Sequence, residues 1–127
     1  MKKIVNIPNS ASPVGPYSQA VFHNNILYSS GQIAICPITN NIITNSIKEE
    51  TNQVMKNIET ILKNSNMTFD NVIKCSIFIS DMNNFKEINE IYSSYFNDSS
   101  YPARETVEVS CLPKNVNIEI SFIAGAV

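Results

Sequence analysis

The sequence is poor in the residues that mark several common classes of protein. It has no tryptophan, three glycines, three cysteines and one histidine. Cys36, Cys75 and Cys111 are far apart and form no Cys-X-X-Cys pair, which argues against a disulfide framework or a zinc site. His23 lies in a predicted hairpin turn, where we expect it to be exposed, and this argues against a Ser-His or Cys-His relay. The cysteine usage is typical of a reducing compartment, so we expect a cytoplasmic protein.

Charge and long hydrophobic runs are also scarce. The net charge is -2, no block of like charge occurs, and Lys2 and Lys3 are the only adjacent basic residues. This distribution argues against a nucleic-acid surface, which clusters Lys and Arg. No apolar run approaches the ~20 residues of a membrane span, and residues 1–20 lack the apolar core of a signal peptide. With 127 residues, of which 43% are hydrophobic, we expect one domain, 1–127, with a substantial core.

Hydrophobic periodicity predicts eight elements in the order β-β-β-α-β-α-β-β. Ser46 and Glu49 fit a capping box before the first helix, and paired asparagines at 24 and 25 suit a tight hairpin turn. Proline-rich residues 8–16 and residues 33–45 are predicted connections. Two helices on one face of a mixed sheet give an α+β fold. The predicted strands are 2–7, 20–22, 26–28, 72–79, 104–110 and 116–124, and the predicted helices are 47–62 and 85–96.

The first candidate functional residue is Arg104, the only arginine among nine basic residues. It follows Pro102, which favours extended backbone at the preceding residue and so suits the entry to a strand. A guanidinium group can grip a carboxylate through two parallel hydrogen bonds, which lysine cannot do. The alternative is a chance surface arginine or a structural ion pair with Glu105 or Glu108.

Polar residues also alternate along the last two predicted strands. If these strands pair as a hairpin with their apolar faces together, Arg104 and Thr106 share a face with Glu119, and Thr106 lies nearly opposite Glu119. The helices then cover the apolar face, which holds Val107, Val109, Ile118 and Ile120.

The polar face has two interpretations. It is either the solvated side of an antiparallel sheet, or a surface turned inward by oligomerisation so that its polar groups surround a pocket. In the second case Ile33, Ile35 and Ile38 would supply an apolar rim or interface.

Other residues that could carry chemistry have a simpler interpretation. Cys75 lies in the predicted central strand and is expected in the core. Tyr92, Tyr95 and Phe96 are expected to be packing residues of the second helix. Asn89 is adjacent to that apolar stripe and could equally be a solvated helix residue.

Five short motifs together indicate a known family. Over nearly its whole length the chain resembles the RidA/YjgF/UK114 family of small enamine/imine deaminases. The resemblance implies a chorismate-mutase-like α+β fold, assembled as a homotrimer with a barrel-like centre and with active sites in clefts between subunits. The motifs are Gly15-Pro16-Tyr17-Ser18-Gln19-Ala20, Ser30-Gly31-Gln32-Ile33, Tyr101-Pro102-Ala103-Arg104, Leu112-Pro113 and Ile118-Glu119-Ile120.

The resemblance also implies a reaction. Members hydrolyse 2-aminoacrylate, 2-iminobutanoate and related imino acids, which pyridoxal-phosphate-dependent dehydratases release, to a 2-oxo acid and ammonia, without a metal or organic cofactor. By position, Arg104 matches the arginine that holds the substrate carboxylate, and Glu119 matches the glutamate that positions the attacking water. Thr106, a substrate-binding position, departs from the cysteine of many members. The other positions that line the cleft are Tyr17, Ser30, Gly31 and Asn89.

Two other functions remain open at this point. A regulatory module could bind 2-oxo acids without turnover, but it would need Arg104 alone, so the presence of Glu119 favours the enzyme. Endoribonuclease or translation-inhibitor activity has been attributed to some members. The acidic sequence pI, the single arginine and the lack of a histidine pair argue against it. We therefore expect small imino and 2-oxo acids as partners, and neither nucleic acid nor membrane.

Overall fold

In a computed structural model, which describes residues 1–8, 10 and 13–126, one six-stranded mixed sheet carries two helices on one face. The predicted element order and the α+β class are confirmed. Short 3₁₀ turns precede β4, α2 and β6. The strands are β1 Lys3–Ile4, β2 Ala20–His23, β3 Ile26–Ser29, β4 Val72–Ile79, β5 Ala103–Glu108 and β6 Ile118–Gly125, and the helices are α1 Ile47–Lys63 and α2 Phe85–Ser93.

The local signals in the sequence placed most elements well. The β2–β3 turn has positive φ at Asn24 and Asn25 (51° and 65°), as the paired asparagines predict. Ser46 caps α1 by accepting a hydrogen bond from the Glu49 backbone N–H at 3.1 Å. Strand β1 is shorter than the predicted 2–7, and α2 ends three residues before the predicted 96. In the predicted loop 8–16, positions 9, 11 and 12 lie outside the described residues.

The main core lies between the sheet and the two helices. One face of α1 and alternate residues of the central strands meet there with almost no exposed surface. Strand β4 is buried on this face and half-buried on the other, which fits its nearly continuous apolar sequence. No helix in the described ranges is long and apolar enough to cross a bilayer.

The predicted hairpin between the last two strands is wrong. The strand order is β1-β2-β3-β6-β4-β5, so β4 lies between β5 and β6 and pairs parallel with β5 and antiparallel with β6. The physical reason is the composition of the strands. The apolar β4 takes a position paired on both edges, whereas β5, which carries an arginine and two glutamates, lies at the edge of the sheet.

This order changes which side chains share a face. Arg104 is opposite Cys75 of β4, and Cys75 is 2% exposed beneath the helices. Glu119 is opposite Phe78, which packs against a second hydrophobic cluster built on Ile33, Leu112 and Val116. Because side chains alternate along a strand, Arg104 and Thr106 point to the helix-covered face and Glu119 to the other. The expectation that all three share a face is therefore wrong.

The expectation that Val107 and Val109 lie on the helix-covered face is also wrong. Val107 is 42% exposed, and Val109 contacts the second cluster rather than the core between sheet and helices. The apolar residues that alternate in this segment therefore face the side of the sheet without helices, where the second cluster lies. Of the isoleucines expected at a rim, Ile33 and Ile35 pack in it and Ile38 is 92% exposed.

Candidate active site

The guanidinium group of Arg104 is held against the inner face of α2. Its Nη1 donates a hydrogen bond to Asn89 Oδ1 at 2.7 Å. Its Cζ lies 4.9 Å from the centroid of the Tyr92 ring and 5.7 Å from that of Phe85. Both distances fall within the range of cation–π attraction. The half-buried arginine is thus fixed by three residues of one helix.

No carboxylate in the described chain neutralises Arg104. The ion pair proposed as an alternative is absent there, because Glu105 pairs with Lys74 at 2.9 Å and accepts a hydrogen bond from Ser76. Glu108 accepts a hydrogen bond from the Met82 backbone N–H at 2.7 Å. A half-buried cation without a counter-charge is costly unless it meets an anion, so Arg104 is suited to bind one.

The surroundings of Arg104 leave room for a small anion. The residue lines a cleft of about 290 Å³ with Tyr101, Pro102 and residues of α2. Thr106 lies two positions after Arg104 on the same face of β5. Its hydroxyl is buried without a hydrogen-bond partner among the described residues. An orphaned hydroxyl is unfavourable, and this one lies on the same face of β5 as Arg104.

A second group of candidate residues lies around Glu119 on the other face of the sheet. A Cβ atom at Gly31 would stand 2.6 Å from Glu119 Cδ and 2.8 Å from Oε2, so the carboxyl group occupies the space above the glycine. The carboxyl group of Glu119 makes no hydrogen bond or ion pair with a described residue. Burial raises its pKa above the usual value near 4.5. The result is an unpaired carboxylate that can exchange a proton.

Backbone pairing fixes the glycine beside this carboxylate. Gln32 pairs with Ile120 through hydrogen bonds of 2.7 and 3.0 Å, which hold the Gly31 backbone beside the strand that carries Glu119. Ser30 Oγ donates to the Ser18 carbonyl oxygen at 2.6 Å. Tyr17 lines a narrow cavity together with Gly31. The resemblance-based residues Tyr17, Ser30, Gly31 and Glu119 therefore lie in one neighbourhood.

The sheet separates the two groups of candidate residues. Arg104 and Glu119 are two strands apart, about 10 Å, and their registers on β4 differ by three residues, about another 10 Å. They also point to opposite faces. A 2-imino acid has its carboxylate next to its imine carbon, so one copy of the chain cannot present both groups to it. We call the Arg104 side, with Asn89 and Thr106, the arginine half-site, and the Glu119 side, with Tyr17, Ser30 and Gly31, the glutamate half-site.

Comparison with known proteins identifies the family. The family model described as Endoribonuclease L-PSP matches residues 8–126. The chain belongs to the Endoribonuclease L-PSP family. Reactive Intermediate Deaminase A of Arabidopsis thaliana, described as chloroplastic, is 41% identical over 123 residues, which cover 97% of this chain and 65% of that protein. The resemblance to RidA proteins is confirmed.

Solved structures of Endoribonuclease L-PSP relatives have the same fold. A Rid family protein of Yersinia pestis, described as of unknown function, aligns with a TM-score of 0.95 at 46% identity, over 99% of this chain and 100% of that one. E. coli TdcF with bound serine aligns with a TM-score of 0.91 at 34% identity, over 98% and 99% of the two chains. The expected homotrimer stays a prediction.

Outside the two half-sites, the histidine and two of the cysteines lie where their simpler interpretations predict. His23 is exposed, with its Nε2 near the Asn24 side chain. Cys75 is in the core and Cys111 is exposed. Among the described residues, no three His, Cys, Asp or Glu side chains are grouped closely enough to hold a metal ion.

The aromatic residues that surround Arg104 were not predicted from the sequence. Tyr92 is expected from the sequence to be a packing residue and Phe85 has no predicted role at the site, yet both rings contact Arg104. Their spacing with Asn89 is a signal that could have found them. Positions 85, 89 and 92 follow the i, i+4, i+7 pattern of one helix face, so a residue that contacts Asn89 is expected to contact its neighbours on that face.

Proposed function

We propose that the protein is a hydrolytic deaminase of reactive 2-imino acids, including 2-aminoacrylate and 2-iminobutanoate. Two relatives support this proposal. One is named a reactive intermediate deaminase, and another has a structure with bound serine, whose carboxylate resembles that of the proposed substrates. The three free cysteines suit a reducing compartment such as the cytoplasm.

The observation that carries this proposal is the unpaired carboxylate of Glu119. A module that only binds 2-oxo acids needs the cation of Arg104 and gains nothing from a second, desolvated carboxylate. A hydrolase needs a group that takes a proton from water and returns it. Burial already raises the pKa of Glu119 toward the working range of such a group.

The chemistry needs few groups because an imine carbon is already electrophilic. Arg104 holds the substrate carboxylate, and water attacks the imine carbon while Glu119 accepts one proton from that water. The imine nitrogen takes up a proton from solvent, so the attack gives a neutral carbinolamine. Glu119 returns its proton to the nitrogen, the C–N bond breaks, and ammonia leaves with the bonding electron pair. The hydroxyl group forms the C=O bond and releases its proton to solvent, which replaces the proton that the imine took up. The sum is one imino acid plus one water giving one 2-oxo acid plus one ammonia. Neither a metal nor an organic cofactor takes part.

The separation of the half-sites supports the proposal that each active site is shared between two copies of the chain. We place the arginine half-site of one copy against the glutamate half-site of another, in a homotrimer that turns the uncovered sheet faces toward a barrel-like centre. Closed cyclic symmetry would then give every copy both a donor and an acceptor role. The exposed Val107 and Tyr28 on this face gain cover in such an assembly.

A coupled assay tests the reaction. A threonine or serine dehydratase generates the imine in place, and the appearance of 2-oxo acid is followed with and without the protein. We expect the wild type to accelerate it, Arg104→Ala to abolish the effect and Glu119→Gln to reduce it about a hundredfold or more. A folded wild type that binds 2-oxobutanoate but accelerates nothing would favour the regulatory module. Salt-dependent RNA binding or cleavage would favour the activity in the family name.

A further inference from the structure

We propose that Tyr92 and Phe85, here called the aromatic clamp, are positioning residues for Arg104 that fix its guanidinium before the substrate arrives. The inference rests on the proposed function, because it assigns the clamp to the carboxylate-binding step of that reaction. It goes beyond that function by giving two residues outside the arginine half-site a role in substrate affinity.

The clamp is built by one stripe of α2. Phe85, Asn89 and Tyr92 lie on the same helix face, and each contacts the guanidinium of Arg104. Asn89 occupies one of the five N–H donors at 2.7 Å. The rings restrict the plane in which the other donors lie. A guanidinium with a fixed plane can offer two parallel N–H groups to a carboxylate.

The ring of Tyr92, rather than its hydroxyl, makes this contact. The side chain is 4% exposed, and its hydroxyl is buried without a regular hydrogen-bond partner in the described chain. Burial, together with the neighbouring Cys75, raises the pKa of Tyr92 far above its usual value, so the phenol stays neutral. The attraction on Arg104 therefore comes from the ring face and is strengthened by the exclusion of water.

Fixing the Arg104 side chain before the ligand arrives lowers the entropy cost of binding the carboxylate. A free arginine side chain loses rotamer freedom when it captures a carboxylate, and that loss weakens the complex. In this chain the clamp and Asn89 already restrict the rotamers of Arg104 when the protein folds, so this freedom is not lost again when the carboxylate binds. The expected signature is a weaker affinity for the carboxylate when the clamp is removed, with a smaller effect on the chemical step, which depends on Glu119.

The composition allows a direct test of the clamp without turnover. Arg104 is the only arginine, so labelling with ¹³C,¹⁵N-arginine gives NMR signals from this side chain alone. In the wild type we expect signals shifted by the aromatic rings and slow rotation about the Nε–Cζ bond. Tyr92→Leu should move the signals toward those of a free arginine, and Tyr92→Phe should retain them. Free-arginine signals in the wild type would overturn the inference.

Binding and kinetics supply the second measurement. We expect Tyr92→Leu to raise the Kd for 2-oxobutanoate and the KM about tenfold, and Phe85→Leu, at a partly exposed position, about threefold, with kcat changed less than about twofold. Tyr92→Phe is the matched control and should bind like the wild type. Phe85→Leu provides the test if Tyr92→Leu unfolds.

The outcomes separate this inference from the proposed function. If the wild type accelerates hydrolysis and Arg104→Ala loses binding while both leucine variants keep the wild-type Kd, the clamp is refuted and the deaminase proposal stands. If the wild type binds and the leucine variants bind about tenfold and threefold more weakly, but no variant or wild type accelerates hydrolysis, the clamp stands and the deaminase proposal falls. If the wild type neither binds 2-oxobutanoate nor accelerates hydrolysis, both fall.

Discussion

The carboxyl group of Glu119 lies where a side chain at Gly31 would have to stand, with its Cδ 2.6 Å from an ideal Cβ position. The φ angle of Gly31 is not positive, so backbone conformation does not require glycine there. Close approach is the reason for the glycine. The two residues therefore act as a pair, in which the absence of one side chain sets the position of the other.

Gly31→Ala should separate activity from stability. The added methyl group displaces Glu119, but it meets the end of a flexible side chain, so we expect a loss of less than about 1 kcal/mol in the free energy of unfolding. A displaced general base should lower kcat about a hundredfold. Denaturant unfolding and the coupled assay measure the two effects. Full activity in Gly31→Ala would contradict the placement of Glu119 beside the reacting water.

Mixing two inactive variants should restore activity if each site is shared. In trimers reassembled from equal amounts of Arg104→Ala and Glu119→Gln, about a quarter of the clefts join an intact arginine half-site to an intact glutamate half-site. We expect about a quarter of the wild-type kcat after joint refolding. A chain with both substitutions, mixed with the wild type, controls for refolding losses. No recovery in the mixture would mean that both groups act from one copy.

The pH dependence of kcat/KM should report Glu119. Burial raises the pKa of this carboxyl group, and only the ionised form can accept a proton from water. As the pH falls through that raised pKa, the ionised fraction falls, so kcat/KM should decrease tenfold per pH unit on the acid side, beginning above pH 4.5. The residual activity of Glu119→Gln should lack this limb. An unchanged acid limb in that variant would assign it to another group.

Thr106→Val should stabilise the protein and weaken binding. Valine has nearly the same shape and removes a buried hydroxyl that has no partner among the described residues, a group that costs about 1–3 kcal/mol. We expect a higher Tm and a KM raised several-fold, because the ligand loses a hydrogen-bond donor. Thr106→Ser keeps the hydroxyl and serves as the control. A lower Tm for the valine variant would indicate that the hydroxyl is satisfied within the fold.

Asn117→Ala should destabilise the start of β6. Glu50 is fully buried, and its carboxylate accepts hydrogen bonds from the Asn117 backbone N–H and side-chain Nδ2, each at 2.7 Å. Removing the side chain leaves one oxygen of a buried carboxylate unsatisfied, which should cost about 2–3 kcal/mol. Denaturant unfolding measures this, with the exposed Asn97→Ala expected within about 0.5 kcal/mol of wild type. A similarly small effect of Asn117→Ala would show that water replaces the lost donor.

Elements fixed by local signals could be predicted from the sequence. The Ser46 cap, the asparagine turn at 24 and 25, and the eight-residue strand β4 each depend on a few neighbouring residues. The predicted bounds of β4 and the start of α1 agree with the structure for this reason. Arg104 could also be chosen as a candidate from a single fact of the sequence, because it is the only arginine.

Pairing between distant strands could not be predicted in the same way. Strand β5 has an alternating pattern that fits either face, and a shift in its assignment moves every side chain to the other side of the sheet. Only the insertion of β4 between β5 and β6 decides this. For the same reason the contact of Arg104 with Tyr92 was missed, whereas the motif that contains Glu119 was found.

The opposite orientation of Arg104 and Glu119 has a consequence for how activity depends on concentration. If a single chain folds on its own but turnover requires contacts between chains, dilution should abolish turnover while the secondary structure persists. Specific activity would then fall steeply below the dissociation constant of the assembly, and crowding or raised expression would increase the yield of active sites per chain. Each cell would set its capacity for clearing reactive imines partly through the abundance of this one polypeptide.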